Sequence, residues 1–399
     1  MQVRNLIILV ICQLISTSGS IVMVMLGGII GATLTANKAF ATLPMSVMVI
    51  AVAATTIPAA MLMRRIGRRK GFALASVTSV LALLVAVVAL RQSSFPLFIV
   101  AVMLFGINMA FTQQYRYAAA ESVTAKYVPR AISLVLAGSI GAAFVGKELA
   151  TRGQFWIESI PYAGTMVVLA LMFGIQALLF LSMDAAQDHD QDQDDSPRSQ
   201  RALGEIARQP LFIVAVLGAA VGFGLMTLVM TATPLSMHIN DGYSLEQTAL
   251  VIQAHVLGMY VPSLATGFLI EKVGVVKLMF VGALCLLAAS IVGLQGHAVL
   301  HYWWALVLLG VGWNFLYVGG TTMLTYTYRR AERFRAQAVN EFLVFGMSAT
   351  ASLLAGSVMH FYGWGTLMLI PIPILIIICV ALIKVRKEPL LSHEGCAGE

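Results

Sequence analysis

Five cations packed into the stretch Met63-Arg64-Arg65-Ile66-Gly67-Arg68-Arg69-Lys70-Gly71 stand between two long apolar runs. Hydrocarbon does not accept that density of charge, so the stretch is a water-facing turn and its flanks are membrane spans. A span needs about 20 predominantly apolar residues. Twelve runs qualify: Leu6–Ile30, Ala41–Met63, Gly71–Leu90, Phe95–Ala119, Ala131–Ala150, Tyr162–Met183, Leu211–Leu235, Leu245–Ile270, Val276–Leu294, Tyr302–Tyr326, Ala338–Phe361 and Gly365–Ile383. With 59% hydrophobic and 11% charged residues and a mean hydropathy of +0.88, a soluble globular chain is excluded. The expected fold class is an all-α membrane protein.

Charge fixes the expected orientation. If the first span starts inside, the inner side takes Arg4, the five cations, Lys126, Arg130, Arg198, Arg201, Arg208, Lys272, Lys277, Arg329, Arg330, Arg333, Arg335, Lys384, Arg386 and Lys387. The outer side keeps only Lys38, Arg91, Lys147 and Arg152, and Arg116 is left within a span. That bias puts both termini in the cytoplasm. The net charge of +7 and isoelectric point near 9.3 therefore follow membrane topology, and no nucleic-acid partner is expected. The first run is too long for a signal peptide and lacks a small-residue cleavage site, so it is expected to stay as a span. Cys12, Cys285, Cys379 and Cys396 are scattered without metal-ligand or redox spacing.

An internal repeat appears at a separation of about 206 residues. Phe105-Gly106-Ile107-Asn108 in span 4 matches Val311-Gly312-Trp313-Asn314 in span 10. Ala60-x-x-x-Arg64-Arg65-x-Gly67 matches Gly267-x-x-x-Glu271-Lys272-x-Gly274, and Arg130-Ala131 matches Arg335-Ala336. Between the halves, Asp184 to Pro197 is too polar and acidic to pack. Its run of Asp and His is better read as solvated chain than as a metal site. The expected organisation is an N-terminal six-helix bundle over 1–183, a cytoplasmic linker over 184–208 and a C-terminal bundle over 209–399. Arg201 to Arg208 reads as a short interfacial turn with Glu205 paired to Arg201.

The cation stretch resembles the loop motif between helices 2 and 3 of the major facilitator superfamily, written G-x-x-x-D-R-x-G-R-R. Arg65, Gly67, Arg68 and Arg69 match; Ala60 stands where the family has Gly, and Arg64 where it has Asp. The likeness covers nearly the whole chain: twelve spans, two halves, the central loop and a loop motif in each half. Helix 5, with Gly138, Gly141 and Gly146, looks like the family's Gly-rich helix, but Lys147 replaces the usual proline, which argues against an antiporter. The string Val251 to Ser263 in helix 8 resembles a bacterial branch that includes riboflavin-uptake proteins. The resemblance implies twelve transmembrane helices in two pseudo-symmetric six-helix bundles. It also implies a secondary transporter that moves a small polar organic solute by alternating access around a site lined mainly by helices 1, 4, 7 and 10.

Polar residues at mid-depth are the candidates for that site. Asn108 lies about 20 Å along helix 4 and Asn314 about 18 Å along helix 10, near the bilayer centre. As repeat mates they either face each other across a cavity or hold each bundle together by interhelical hydrogen bonds. His255 has descended roughly 15 Å into helix 8, where an ionisable group is expensive. It is either a substrate or proton site or a neutral imidazole satisfied by a neighbouring helix. Gln113, Arg116 and Tyr117 are expected on one face of helix 4, where a guanidinium among amides and phenols suits planar or anionic ligands. Tyr317 joins them as a substrate-binding candidate.

Gating candidates sit at the inner side. In the family an acidic residue at this end of helix 4 pairs with the loop arginines, which implies Glu121 with Arg65 or Arg68. The reversed polarity at Arg64 predicts an Arg64 to Glu341 pair closing the inner side, while Glu271 faces the start of helix 5 near Arg130. Lys147 and Glu148 read as a structural pair. His297 and His301 lack a third ligand, so neither a metal nor a cofactor is expected. No Walker, G-x-S-x-G or H-E-x-x-H motif supports ATP-driven transport or an enzyme. The expected protein is a monomeric multi-pass symporter or facilitator of a bacterial inner membrane, with a metabolite, vitamin or siderophore-like substrate and either protons or the solute gradient as driving force. Two alternatives remain open: efflux of amphipathic drugs, or a transporter-like receptor that binds without translocating.

Overall fold

A computed structural model describes residues 3–122, 128–184, 201–329 and 332–386. Among the described residues there is helix and connecting chain but no strand. The first part holds α1 (Val3–Leu34), α2 (Leu43–Ile66), α3 (Arg68–Arg91), α4 (Phe95–Thr112), α5 (Tyr115–Glu121), α6 (Val128–Arg152) and α7 (Ala163–Leu181). After the short α8 (Leu203–Ala207) come α9 (Pro210–Pro234), α10 (Leu245–Tyr260), α11 (Ser263–Val273), α12 (Val275–Leu294), α13 (Val299–Thr325), α14 (Arg333–Leu369) and α15 (Pro371–Val385).

The cation stretch is not a loop. Gly67 alone separates α2 from α3, with φ 83°, a backbone that glycine adopts without steric cost. Gly274 makes the same one-residue turn between α11 and α12, with φ 88°. Arg65 therefore lies in the last turn of one helix, and Arg68, Arg69 and Lys70 open the next.

Four spans differ from their sequence outlines. Span 4 breaks at Gln113 and Gln114 into α4 and α5. Span 8 breaks ahead of Pro262, which supplies no N–H to continue the ladder, into α10 and α11. Spans 11 and 12 run together: of the 11 helical stretches long and apolar enough to cross a membrane among the described residues, the last covers 51 residues, Arg335–Val385. At 1.5 Å per residue that is enough for two crossings, and the non-helical Gly363 marks the reversal between them.

In the first part α1 packs on α6, α3 on α4 and α7, and α2 on α4; in the second α12 packs on α13, α9 on α13 and α14, and α10 on α13. Close backbone approach sets two of these seams and reveals their register. A Cβ on Gly106 would lie 2.6 Å from the Met48 carbonyl oxygen and 2.9 Å from Ala51, and one on Gly310 would lie 2.5 Å from the His255 oxygen and 2.9 Å from Gly258. Met48 and Ala51 lie 207 positions before His255 and Gly258, the separation of Gly67 from Gly274. Gly106 lies only 204 before Gly310, the separation of the helix starts Phe95 and Val299. The repeat thus loses three residues between its second and fourth spans. Asn108 corresponds to Gly312, not to Asn314, and the expected mates fall out of register.

The two parts meet through α2 with α14, α6 with α10 and α1 with α9. At the end where α1 finishes, Leu235 closes over Gly28 and clusters with Ala32 and Ala41, and Gly356 sits against Thr42 and Ala39. Ser46 Oγ donates to Ser352 Oγ at 3.1 Å nearby. At the other end the returning chain is fastened to the α13–α14 connection. Arg201 bonds Glu332, and the expected partner Glu205 adds only a lesser electrostatic attraction: the Arg201 backbone N–H, Nε and terminal nitrogen donate to the Glu332 carboxylate at 2.9, 3.0 and 2.6 Å. Glu332 also accepts the Arg329 backbone N–H at 2.9 Å, and Gln209 Nε2 donates to the Thr327 carbonyl at 3.1 Å.

Candidate functional site

Aromatic side chains gather where α9, α10, α13 and α14 converge. Trp313 and Tyr317, one helical turn apart on α13, stack with centroids 5.1 Å apart and planes 15° apart. Phe223 of α9 meets both edge-on at 5.6 and 5.3 Å and reaches Phe345 of α14 at 5.7 Å. Tyr260, the last residue of α10, lies 6.4 Å from Trp313. Such a cluster offers both ring faces and ring edges, the two geometries aromatic pairing favours. Buried in it, Trp313 Nε1 finds no acceptor among the described residues.

A polar wall from the first part faces this cluster. Gln13 of α1 donates to Thr17 Oγ1 at 3.1 Å and to Ser139 Oγ of α6 at 2.9 Å. Ser139 in turn lies within hydrogen-bond reach of the Tyr260 hydroxyl. Ser20 Oγ approaches Met109 Sδ at 3.6 Å. Deeper in the bundle, Ser16 donates to Gln176 Oε1 at 3.1 Å, and Gln176 Nε2 donates to Ser76 at 2.9 Å and Tyr115 at 3.3 Å, tying α1, α3, α5 and α7 together. Buried hydroxyls and amides in an apolar medium are stable only when joined in this way.

Charge enters from α5 and α14. Arg116 stands within electrostatic reach of both Tyr260 and Glu341, and the Asn340 amide flanks the Glu341 carboxylate. The combined arrangement is a stacked aromatic surface, an amide and hydroxyl wall, and a cation beside a carboxylate. Such groups can stack on a flat ring, hydrogen-bond to hydroxyls and amides, and interact with charge.

The structure brings Arg116, Glu341 and, through Tyr260 and Trp313, Tyr317 into one neighbourhood. Gln113 is half-buried at the break before α5, three residues ahead of Arg116. His255, fully buried, bonds through Nδ1 to the Leu306 carbonyl at 2.8 Å. A carbonyl only accepts, so Nδ1 carries a proton and, in the neutral ring, Nε2 is the acceptor; Nε2 has no partner among the described residues. That imidazole lies in the α10–α13 seam made by Gly258 and Gly310. Asn314 is also committed: its amide nitrogen donates to Met259 O at 2.9 Å and to Ser263 Oγ, and its oxygen accepts from Thr266 at 2.6 Å. It clamps the broken span 8 to α13.

Asn108, fully buried, finds no partner for either amide atom among the described residues. Two residues past Gly106, it is turned about 200° from the α2 face. Its equivalent Gly312 lies against Gly282 and Leu286 of α12, so by the same register Asn108 looks towards α3. The side chains of Arg64, Tyr117, Glu121 and Glu271 lie outside the described residues. At the ends of the bundle, Arg68 reaches the Gln114 carbonyl at 3.5 Å, Glu148 pairs with Arg152 at 2.7 Å and Lys147 at 3.9 Å, and His297 meets Asp241 at 3.0 Å. Sequence reasoning missed Phe223, Tyr260, Trp313 and Phe345 because aromatic residues in a span look like packing. It also missed the α1 wall, although Gln13, Thr17 and Ser20 recur at spacings of three and four.

The Major Facilitator Superfamily sequence profile matches residues 8–313 and 228–395. The riboflavin transporter RfnT of Brucella anthropi is 37% identical over 396 residues, covering 99% of this chain and 98% of that one. The MFS-type transporter YddS of Bacillus subtilis, of uncharacterized function, is 29% identical over 373 residues, covering 89% and 84%. Among solved structures, a variant of the nucleoside transporter NupG superimposes with a TM-score of 0.76 at 14% identity, covering 96% of this chain and 100% of that one. A bacterial homolog of the human lysosomal transporter Spinster superimposes with a TM-score of 0.72 at 15% identity, covering 97% and 99%.

Proposed function

This chain belongs to the major facilitator superfamily and is a transporter, not an enzyme; from that premise we propose that it carries riboflavin across the bacterial inner membrane. The observation that carries the reading is the Trp313–Tyr317 stack edged by Phe223 and faced by the Gln13–Thr17–Ser139 wall. Riboflavin is a planar tricyclic ring bearing a polyhydroxyl chain, so the ring stacks and the chain takes the hydroxyl wall. Likeness along the whole chain to a relative named as a riboflavin transporter supports the same substrate.

In this proposal the bundles 1–183 and 209–399, joined by the linker 184–208, rock about the central cluster, with both termini inside. Cations concentrated at the α2–α3 end support that orientation. The Leu235–Gly28 contact then closes the outer end, leaving Arg116 and Glu341 at the inner approach to the substrate. Arg64, Arg65, Arg68, Glu121 and Glu271 are the proposed inner gate, and transport is driven by protons or by the riboflavin gradient.

Purified protein in liposomes tests the reading. Saturable uptake of labelled riboflavin, competed by excess riboflavin and not by adenosine, is the expected result. Binding without flux would make the protein a receptor, and transport of unrelated amphipathic dyes in place of riboflavin would make it an efflux pump; either outcome overturns the proposal.

A further inference from the structure

A groove of about 160 Å³ opens between α2, α3 and α4, lined by Thr55, Pro58, Leu62, Leu74, Thr78 and Phe111 among others. Its α3 rim belongs to the outward face of the first part, since Leu74, Val77 and Leu81 are 48%, 46% and 54% exposed while α3 packs inward on α4 and α7. Helical spacing decides what stands above it. Arg65 lies three residues beyond Leu62 on α2 and Lys70 four residues before Leu74 on α3, so both cations continue the groove-lining faces towards the water. Both are exposed, and among the described residues neither is held by an ion pair. The groove begins about one helical turn, roughly 6 Å, below them. That is the offset between a lipid phosphate and the top of its acyl chains.

We propose that this groove is a binding site for one anionic phospholipid, its acyl chain lying along Leu62, Pro58 and Thr78 and its phosphate on Arg65 and Lys70. Charge complementarity selects the occupant, because a zwitterionic lipid fills the same groove without net attraction to the two cations. The bound lipid joins the ends of α2 and α3 at their one-residue turn and so stiffens the inner end of the first bundle. This inference does not depend on which solute is carried.

Native mass spectrometry of the detergent-purified full chain, mixed with phosphatidylglycerol or phosphatidylcholine of identical acyl chains, tests the site. Phosphatidylglycerol should be retained preferentially. Arg65→Gln with Lys70→Gln should abolish that preference, lowering retention of the anionic lipid about thirtyfold, from roughly fivefold per cation. Leu74→Trp, at an exposed position on the groove's lip, should weaken both lipids while leaving the melting temperature unchanged, and glycerol phosphate alone should not compete. Equal retention of the two lipids, an unaltered preference in the double variant, or full competition by glycerol phosphate would each overturn the proposal.

Discussion

Trp313 and Tyr317 stack on one face of α13 with their planes 15° apart, and Phe223 presses its ring edge-on against both. Two large aromatics held parallel in the middle of a membrane domain are the platform of the proposed riboflavin site.

Replacing Trp313 with Leu removes the upper ring while keeping apolar bulk. Aromatic pairing contributes about 0.5–1.5 kcal/mol beyond simple burial, so riboflavin should bind roughly 2–12-fold more weakly. Titration by flavin fluorescence quenching measures it, and Trp313→Phe should recover most of the loss. An unchanged dissociation constant in a normally folded Trp313→Leu protein would move the platform elsewhere.

Arg116 and Glu341 are predicted to be energetically coupled. Both are half-buried, so removing one partner should cost roughly 1–2 kcal/mol, below the range for fully buried pairs. Arg116→Gln or Glu341→Gln alone should each lower the melting temperature more than the double change does per residue removed. Exchange of Arg64→Glu with Glu341→Arg tests the other candidate cation. Rescue of transport there, with no coupling to Arg116, would return Glu341 to the gate predicted from sequence.

How far the sequence carried these conclusions is clearest from particular residues. Most spans, the place of the charged turn and the family were legible because hydrophobicity and positive charge act locally; that the turn is one glycine long was not. The equivalence of Asn108 and Asn314 was not legible. A three-residue loss between spans 2 and 4 leaves every motif recognisable while setting the two amides about 200° apart around their helices, and only the contacts of Gly106 and Gly310 disclose it. His255 was conspicuous as a rare ionisable residue, yet its bond to the Leu306 carbonyl is a backbone contact that no side-chain pattern records. Phe223 and Phe345 were invisible for the opposite reason, since a phenylalanine in a span is ordinary.

Glu332 should make stability depend on acid. The Arg201 guanidinium, aided by the backbone N–H groups of Arg329 and Arg201, holds its carboxyl down to about 2 from an ordinary 4.5. A carboxyl depressed by folding contributes stability that is complete above the ordinary value and is lost as pH falls from about 4.5 towards about 2. Glu332→Gln should therefore be less stable than the parent at pH 7, by roughly 1–3 kcal/mol for hydrogen bonds to a charged group. The difference should shrink steadily below pH 4.5. Thermal unfolding at pH 7 and pH 3 measures both, and a difference that stays constant with pH would show that ionisation of Glu332 is not linked to folding.

Gly106 and Gly310 should fail alike. An alanine methyl at either position meets a backbone oxygen, of Met48 at 2.6 Å or His255 at 2.5 Å, and a carbonyl in the middle of a helix cannot swing aside as a side chain can. The α2–α4 or α10–α13 seam must then widen, at roughly 1–3 kcal/mol. Gly174→Ala, with nothing within 4 Å, is the control and should be neutral or stabilising by up to about 1 kcal/mol. Because the oxygen that Gly310 meets belongs to His255, Gly310→Ala should be non-additive with His255→Leu, which already loosens the seam by removing the bond to Leu306. Gly106→Ala lies in the other part and should add independently to His255→Leu. Melting temperatures of the two double variants decide it. Equal additivity in both would mean that the imidazole plays no part in holding that seam.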